Sequence, residues 1–278
     1  MAGSLLLAGL PAVAPAQGHG PIYGLSTPTL GAGGWSLDLG TMGRRTPSGE
    51  WMAMFRPMLS YGITEDVQLS VSVPVPLRTP AAPRPERVAT RMPATRDVEV
   101  LGAWRFHRSA PSVGSRFETT LYAGLDVPTD EARRGAETAP GLVGALVTGY
   151  ASRSVYVWVG GLGRRYRSAG PVGGDRPGDL AMASLVVGYR PPAFRHDYPR
   201  PDWRVFLEVV GEVSGRDRVG GVRQPDTGGR QLYVGPTLLG LFGSWGVSGG
   251  PLFPVYRRLN GGRRGDSVRL AFDLIFWF

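Results

Sequence analysis

Val67, Leu69, Val71, Val73 and Val75 alternate with Gln68, Ser70, Ser72 and Pro74. Residues two apart share a face of an extended strand, so this segment carries one apolar face and one mostly polar face. The same period of two returns along the chain. Phe117, Thr119, Leu121, Ala123, Leu125 and Val127 alternate with Arg116, Glu118, Thr120, Tyr122 and Asp126. Trp203, Val205, Leu207 and Val209 alternate with Arg204, Phe206 and Glu208, and Val268 to Phe278 repeats the pattern at the carboxyl end. Helical periodicity is absent, and 42 glycines oppose it further. About twelve such segments can be placed. They fall near 34–43, 51–60, 67–76, 97–107, 116–127, 141–150, 154–163, 179–189, 203–213, 231–240, 244–254 and 267–278.

A chain of alternating strands can bury its apolar faces in a soluble sandwich, or turn them outward to lipid as a barrel. Three features favour lipid. Charges of both signs occupy the polar alternate positions: Asp38, Arg56, Glu99, Arg105, Arg116, Glu118, Asp126, Arg204, Glu208, Glu212, Arg269 and Asp273. Such residues can pair across a wet interior. Aromatic residues (Trp35, Trp51, Trp104, Tyr122, Tyr150, Trp203, Tyr233, Trp245 and Phe278) sit towards strand ends, as interfacial girdles require. The last strand ends on Ile275-Phe276-Trp277-Phe278, an apolar edge that would aggregate if left free in water. Phe272, Leu274, Phe276 and Phe278 are expected to form the signal read by the barrel insertion machinery.

The connections sort by length. Residues 61–66, 151–153 and 241–243 are tight, and 108–115 and 190–202 are moderate. Segments 77–96, 128–140, 164–178, 214–230 and 255–266 are longer and rich in Pro, Gly and Arg, with 44–50 a shorter first member. In an up-and-down meander alternate connections lie at opposite ends, so one end carries turns and the other loops, as in outer-membrane barrels. Backbone groups in hydrocarbon must all be paired, which demands closure. The expected fold is therefore all-β: an up-and-down antiparallel transmembrane barrel of about twelve strands (about 10–14) over residues 34–278, with both termini periplasmic.

Residues 1–16 read as a secretory signal peptide, with the apolar run Leu5–Pro15 before an Ala14-Pro15-Ala16 cleavage site. Residues 17–33 are expected to be a periplasmic amino-terminal segment. The protein is placed in the bacterial outer membrane.

Composition removes most enzymes. The chain has no cysteine and no lysine, so all 31 basic residues are arginine and the net charge is +9. Thiolate chemistry, the Gly-Lys-Ser/Thr phosphate loop, Schiff-base lysines and the Ser-x-x-Lys nucleophile are excluded. His19, His107 and His196 are far apart, and the one asparagine, Asn260, lies in a loop segment. No catalytic residue, metal site or cofactor is expected. The six loop-end segments hold 21 of the 31 arginines and nine of the 22 acids; elsewhere 10 arginines meet 13 acids. The positive surplus thus belongs to one rim. It is expected to meet outer-membrane lipid and the phosphates of lipopolysaccharide, or to gather anionic solutes at a pore mouth. Nucleic acid is not an expected partner.

Three stretches carry a resemblance. Tyr61-Gly62-Ile63-Thr64-Glu65-Asp66 running into Val67–Pro74, then Pro251-Leu252-Phe253-Pro254-Val255-Tyr256 with Leu259-Asn260-Gly261, and Gly33-Gly34-Trp35-Ser36 are similar to motifs of one outer-membrane barrel family. That family is named for a meta-pathway of phenol degradation (MetA-pathway). The resemblance implies a channel or transporter and supplies no catalytic residues. The expected function is an outer-membrane channel or transporter for small molecules, hydrophobic, aromatic or anionic. A non-conducting structural barrel with a charge-paired lumen is the alternative, and an outer-membrane hydrolase is disfavoured. Arg56, Arg105, Arg116, Glu118, Arg204, Glu208, Arg269 and Asp273 are the expected lumen and selectivity residues.

Overall fold

The computed structural model describes residues 20–45, 49–78, 97–129, 139–167, 175–196, 200–262 and 265–278. The signal-peptide expectation, residues 1–16, lies outside them. Twelve barrel strands form. They are β1 (Trp35–Arg45), β2 (Trp51–Gly62), β3 (Val67–Ser72, resuming as Val75–Arg78), β4 (Val98–Ser109), β5 (Arg116–Val127) and β6 (Gly141–Ala151). β7 (Val155–Tyr166), β8 (Leu180–Tyr189), β9 (Asp202–Ser214), β10 (Gly229–Phe242), β11 (Trp245–Leu259) and β12 (Val268–Trp277) follow. Each falls on a segment expected from the alternation, with ends shifted by a few residues.

Every strand pairs antiparallel with its neighbours in sequence, and β12 closes on β1 from Ser36↔Trp277 to Arg45↔Val268. At the closure Trp35 and Phe278 exchange backbone hydrogen bonds, N–H of each to C=O of the other, at 2.8 and 3.2 Å. Local chemistry explains the irregularities. Pro74 has no N–H to give a ladder, and β3 breaks there. Phe242-Gly243-Ser244-Trp245 makes a two-residue hairpin with Gly243 at φ 64°, the conformation that favours glycine at that position.

Inward and outward rows separate cleanly. On β8 Leu180, Met182, Ser184, Val186 and Gly188 are buried while Ala181, Ala183, Leu185, Val187 and Tyr189 are exposed. Outward rows elsewhere carry Leu121, Leu125, Leu142, Leu146, Val159, Val205, Leu207, Leu238, Phe253, Leu270 and Phe272, all at least 39 % exposed. This apolar outer surface belongs to a membrane barrel, because a soluble protein does not turn such rows to water. Outward charges keep to the loop end of the strands, at Arg45, Arg165, Arg230 and Arg258. An outward arginine at the bilayer midplane would cost about 2–4 kcal/mol.

Two aromatic residues depart from the girdle expectation. Tyr122 and Tyr233 are buried and face inward, while Trp35, Trp104, Trp245 and Phe278 are exposed on the outer surface. Position near a strand end does not set direction; parity along the strand does, and both tyrosines fall on inward positions.

The largest difference concerns the amino-terminal segment. Residues 20–33 do not hang free below the barrel but run inside it, with Tyr23, Leu25, Thr27 and Leu30 buried. The sequence from 17 to 33 has no strand alternation and several small polar residues. Without the wall to bond with, it reads as a free tail.

Candidate functional site

The candidate site is the lumen, and the chain's own amino-terminal segment occupies it. That segment leaves the short-turn end beside Gly62, where the Gly33 N–H donates to Gly62 O at 2.8 Å. Gly62 permits the approach, since a Cβ there would lie 2.0 Å from Gly31 O. Successive residues then bond around the wall. The Leu30 N–H donates to Gln68 Oε1 (2.8 Å) and the Thr29 hydroxyl to Glu65 O (2.9 Å). Thr27 donates to Glu118 Oε2 (3.0 Å) and receives Trp158 Nε1–H (3.1 Å), while its carbonyl receives the Thr120 hydroxyl (2.6 Å). Tyr122 donates to Ser26 O (2.7 Å), and the Leu25 N–H donates to Ser184 Oγ (3.1 Å).

The tip of the segment is held at mid-barrel. Three successive N–H groups, of Ile22, Tyr23 and Gly24, converge on the Glu208 carboxylate at 3.0, 3.0 and 2.6 Å, and the Thr237 hydroxyl adds a fourth donor at 2.6 Å. The Tyr23 hydroxyl reaches β11, two strands from Glu208, and donates to Gly250 O at 2.7 Å. Gly24 leaves no slack, because a Cβ there would lie 2.4 Å from Val186 Cγ2.

Charges in the wall are grouped. Arg164 lies between Glu99 and Asp126, bonding Asp126 at 2.6 and 2.7 Å, and Glu99 also takes Arg56 at 3.1 Å. Arg269, fully buried, makes a bidentate pair with Glu212 (2.8 and 3.0 Å), reaches Asp266 at 3.0 Å and lies 3.9 Å above the Tyr233 ring. Nearer the turns, Arg105 bonds Glu118 (3.1 Å), Asp66 (2.9 Å) and Glu65 O (2.8 Å), and Arg116 approaches Glu118 at 3.5 Å. Asp202 holds Arg190 at 2.5 Å and Arg204 at 3.1 Å. These bidentate and shared pairs are the strong kind of charged hydrogen bond.

All eight sequence-predicted lumen residues therefore lie on inward positions, but as four different things. Arg56, Arg105, Arg116, Glu118 and Arg269 belong to the ion-pair groups. Arg204 is paired near the turn end with its guanidinium 5.1 Å from the centre of the Tyr156 ring. Glu208 anchors the amino-terminal segment. Asp273 lines a cavity between that segment and the β1, β2, β11 and β12 wall. Glu99, Asp126 and Glu212 sit on the same alternation without having been singled out as site residues. Arg44, Arg164 and Asp266 lie at the loop end, where the sequence reads as rim, and the segment 20–33 gave no signal.

The cavity is about 80 Å³ and is walled by Ser36, Asp38, Arg56, Ser60, Ser248 and Asp273 among others. A few waters fit in such a space. Small-molecule sites run from about 300 Å³ upward, so this cavity is too small to hold an organic solute while the segment is seated.

A closed twelve-stranded antiparallel barrel with apolar rows outside and charged residues inside is the architecture of an outer-membrane barrel. Solved structures carry the same fold. The chain is similar to the COG4313 outer membrane channel from Pseudomonas putida F1, at TM-score 0.60 and 14% identity over 91% of this chain and 98% of that one. It is also similar to the NanC porin, at TM-score 0.50 and 8% identity over 87% and 98%. LpxR from Salmonella typhimurium aligns at TM-score 0.43 and 13% identity over 87% and 100%. No family model matches the sequence, and no curated protein sequence matches it.

Proposed function

We propose that the protein is a bacterial outer-membrane channel for small solutes, held shut in this conformation by residues 20–33. The observation that carries this is the form of the closure. The segment fills the lumen by hydrogen bonds to side chains of the wall, yet it is not a strand of the barrel. It can leave without breaking one ladder bond among the twelve strands. The fold shared with an outer membrane channel and a porin supports the same reading. In the proposed orientation the short-turn end, where β1 begins and β12 ends, is periplasmic and the arginine-rich end is external. Arg230 and Arg258 support it. They lie directly opposite one another on β10 and β11, both exposed, one outward step beyond Leu232↔Tyr256. Like charges placed so are unfavourable alone and suit the phosphates of lipopolysaccharide at headgroup depth.

The ion-pair groups favour a second reading, a structural barrel that conducts nothing. A reversible lock separates the two. The chain has no cysteine, and Gly24 and Val186 approach closely enough for a disulfide, whose Cβ atoms lie about 3.8 Å apart. The Gly24→Cys/Val186→Cys protein in planar bilayers should pass little current when oxidised and gain steps of conductance under reductant. Silence in both states, at every salt and voltage, would establish the structural barrel instead.

A further inference from the structure

Glu208 differs from the other paired carboxylates of the wall. Glu99, Glu118, Asp126, Asp202 and Glu212 each have an arginine within 3.5 Å. Glu208 is fully buried at mid-barrel, and among the described residues no arginine lies within ion-pair distance of it. Its donors are the N–H groups of Ile22, Tyr23 and Gly24 and the Thr237 hydroxyl, all neutral. Three converging N–H groups present partial positive charge, as backbone nests do to anions. They stand where a cation would stand.

Aromatic residues occupy the same inward row as this carboxylate and the next one. The sheet register sets Trp158, Val186 and Glu208 in one inward row across β7, β8 and β9, and Tyr156, Gly188 and Phe206 in the next. Tyr156, Trp158 and Phe206 form a cluster with ring centres 5.6–6.1 Å apart. Glycines make the room: a Cβ at Gly188 would lie 2.5 Å from the Phe206 ring, and one at Gly149 would lie 2.3 Å from Trp158. The cluster already receives one cation, the Arg204 guanidinium over Tyr156, and Asp202 neutralises that arginine.

A single carboxylate beside several aromatic faces is the chemistry that recognises organic ammonium ions. We propose that Glu208, with Phe206, Trp158 and Tyr156, is a binding site for organic cations, and that such a cation competes with residues 22–24 for the carboxylate. This rests on the reading that the segment can withdraw. It departs from the anionic solutes that the arginine surplus suggests, because the inner arginines named above are paired with carboxylates and the surplus lies on the rim.

Calorimetric titration of the detergent-solubilised full chain with tetramethylammonium chloride tests the site, with sodium chloride at equal ionic strength as reference. Saturable binding is expected for tetramethylammonium alone. Glu208→Gln and Phe206→Leu should each raise Kd about tenfold or more; the second leaves every hydrogen bond of the segment in place. The Gly24→Cys/Val186→Cys protein should bind when reduced and lose binding when oxidised. Binding no different from sodium, binding indifferent to both substitutions, or binding retained in the oxidised lock would each overturn the site. Calorimetry needs no current, so these results are independent of the conductance experiment. A conducting protein that ignores tetramethylammonium would keep the channel and remove the cation site.

Discussion

The contact between Gly24 and Val186 gives the sharpest test of closure. In Gly24→Ala the new methyl would lie 2.4 Å from Val186 Cγ2, against an ordinary carbon–carbon contact of about 3.5–4.0 Å. An overlap of more than about 1 Å in a packed interior costs about 1–3 kcal/mol. Val186 is fully buried on a strand hydrogen-bonded on both sides, so the wall cannot retreat. The segment must move instead. That energy corresponds to about a 5- to 150-fold shift from closed to open, at 1.4 kcal/mol per tenfold. Open probability in planar bilayers, and protease cleavage of the amino-terminal segment in the folded barrel, should both rise. Val186→Ala removes the offending methyl groups, so the double variant should close again. The reasoning fails if Gly24→Ala behaves as the unsubstituted protein, or if Val186→Ala does not restore closure.

Three other outcomes are expected. Arg269→Ala strips Glu212 and Asp266 of a buried partner and should destabilise the folded barrel by about 3–5 kcal/mol, read as a lower temperature of the heat-modifiable gel shift. Tyr23→Phe removes the hydroxyl's bonds to Gly250 O and Arg269 O and should raise open probability in the same conductance record; an unchanged record would show that these bonds do not hold the segment. Neutralising Arg116 and Arg204 together, once the lumen is open, should move the reversal potential towards cation selectivity; an unchanged potential would remove them from the path.

The alternation of Val67 to Val75, or of Val268 to Phe278, was sufficient to place strands, because a period of two assigns each residue to one face whatever the neighbours are. Closure followed from it: apolar rows and paired charges on the same strands leave only lipid outside and a polar interior, and hydrocarbon forbids an open edge. Direction at each position could also be read by parity, which is why Arg56, Glu118, Glu208 and Arg269 were found inside. Tyr122 and Tyr233 show the cost of reading by residue type instead.

What filled the interior could not be read in this way. Residues 20–33 have no periodicity, and their hydrogen bonds go to groups as many as 246 positions away, such as Arg269 O from Tyr23. Nothing local marks Gln68, Ser184 or Thr120 as acceptors or donors for such a segment, or separates Glu208 from Glu212 four residues on. Strand parity decides which side of the wall a group faces. Only the curvature of the closed sheet decides which groups then meet across a lumen a few side chains wide, and there the arginine of one carboxylate is replaced by the backbone of another part of the chain.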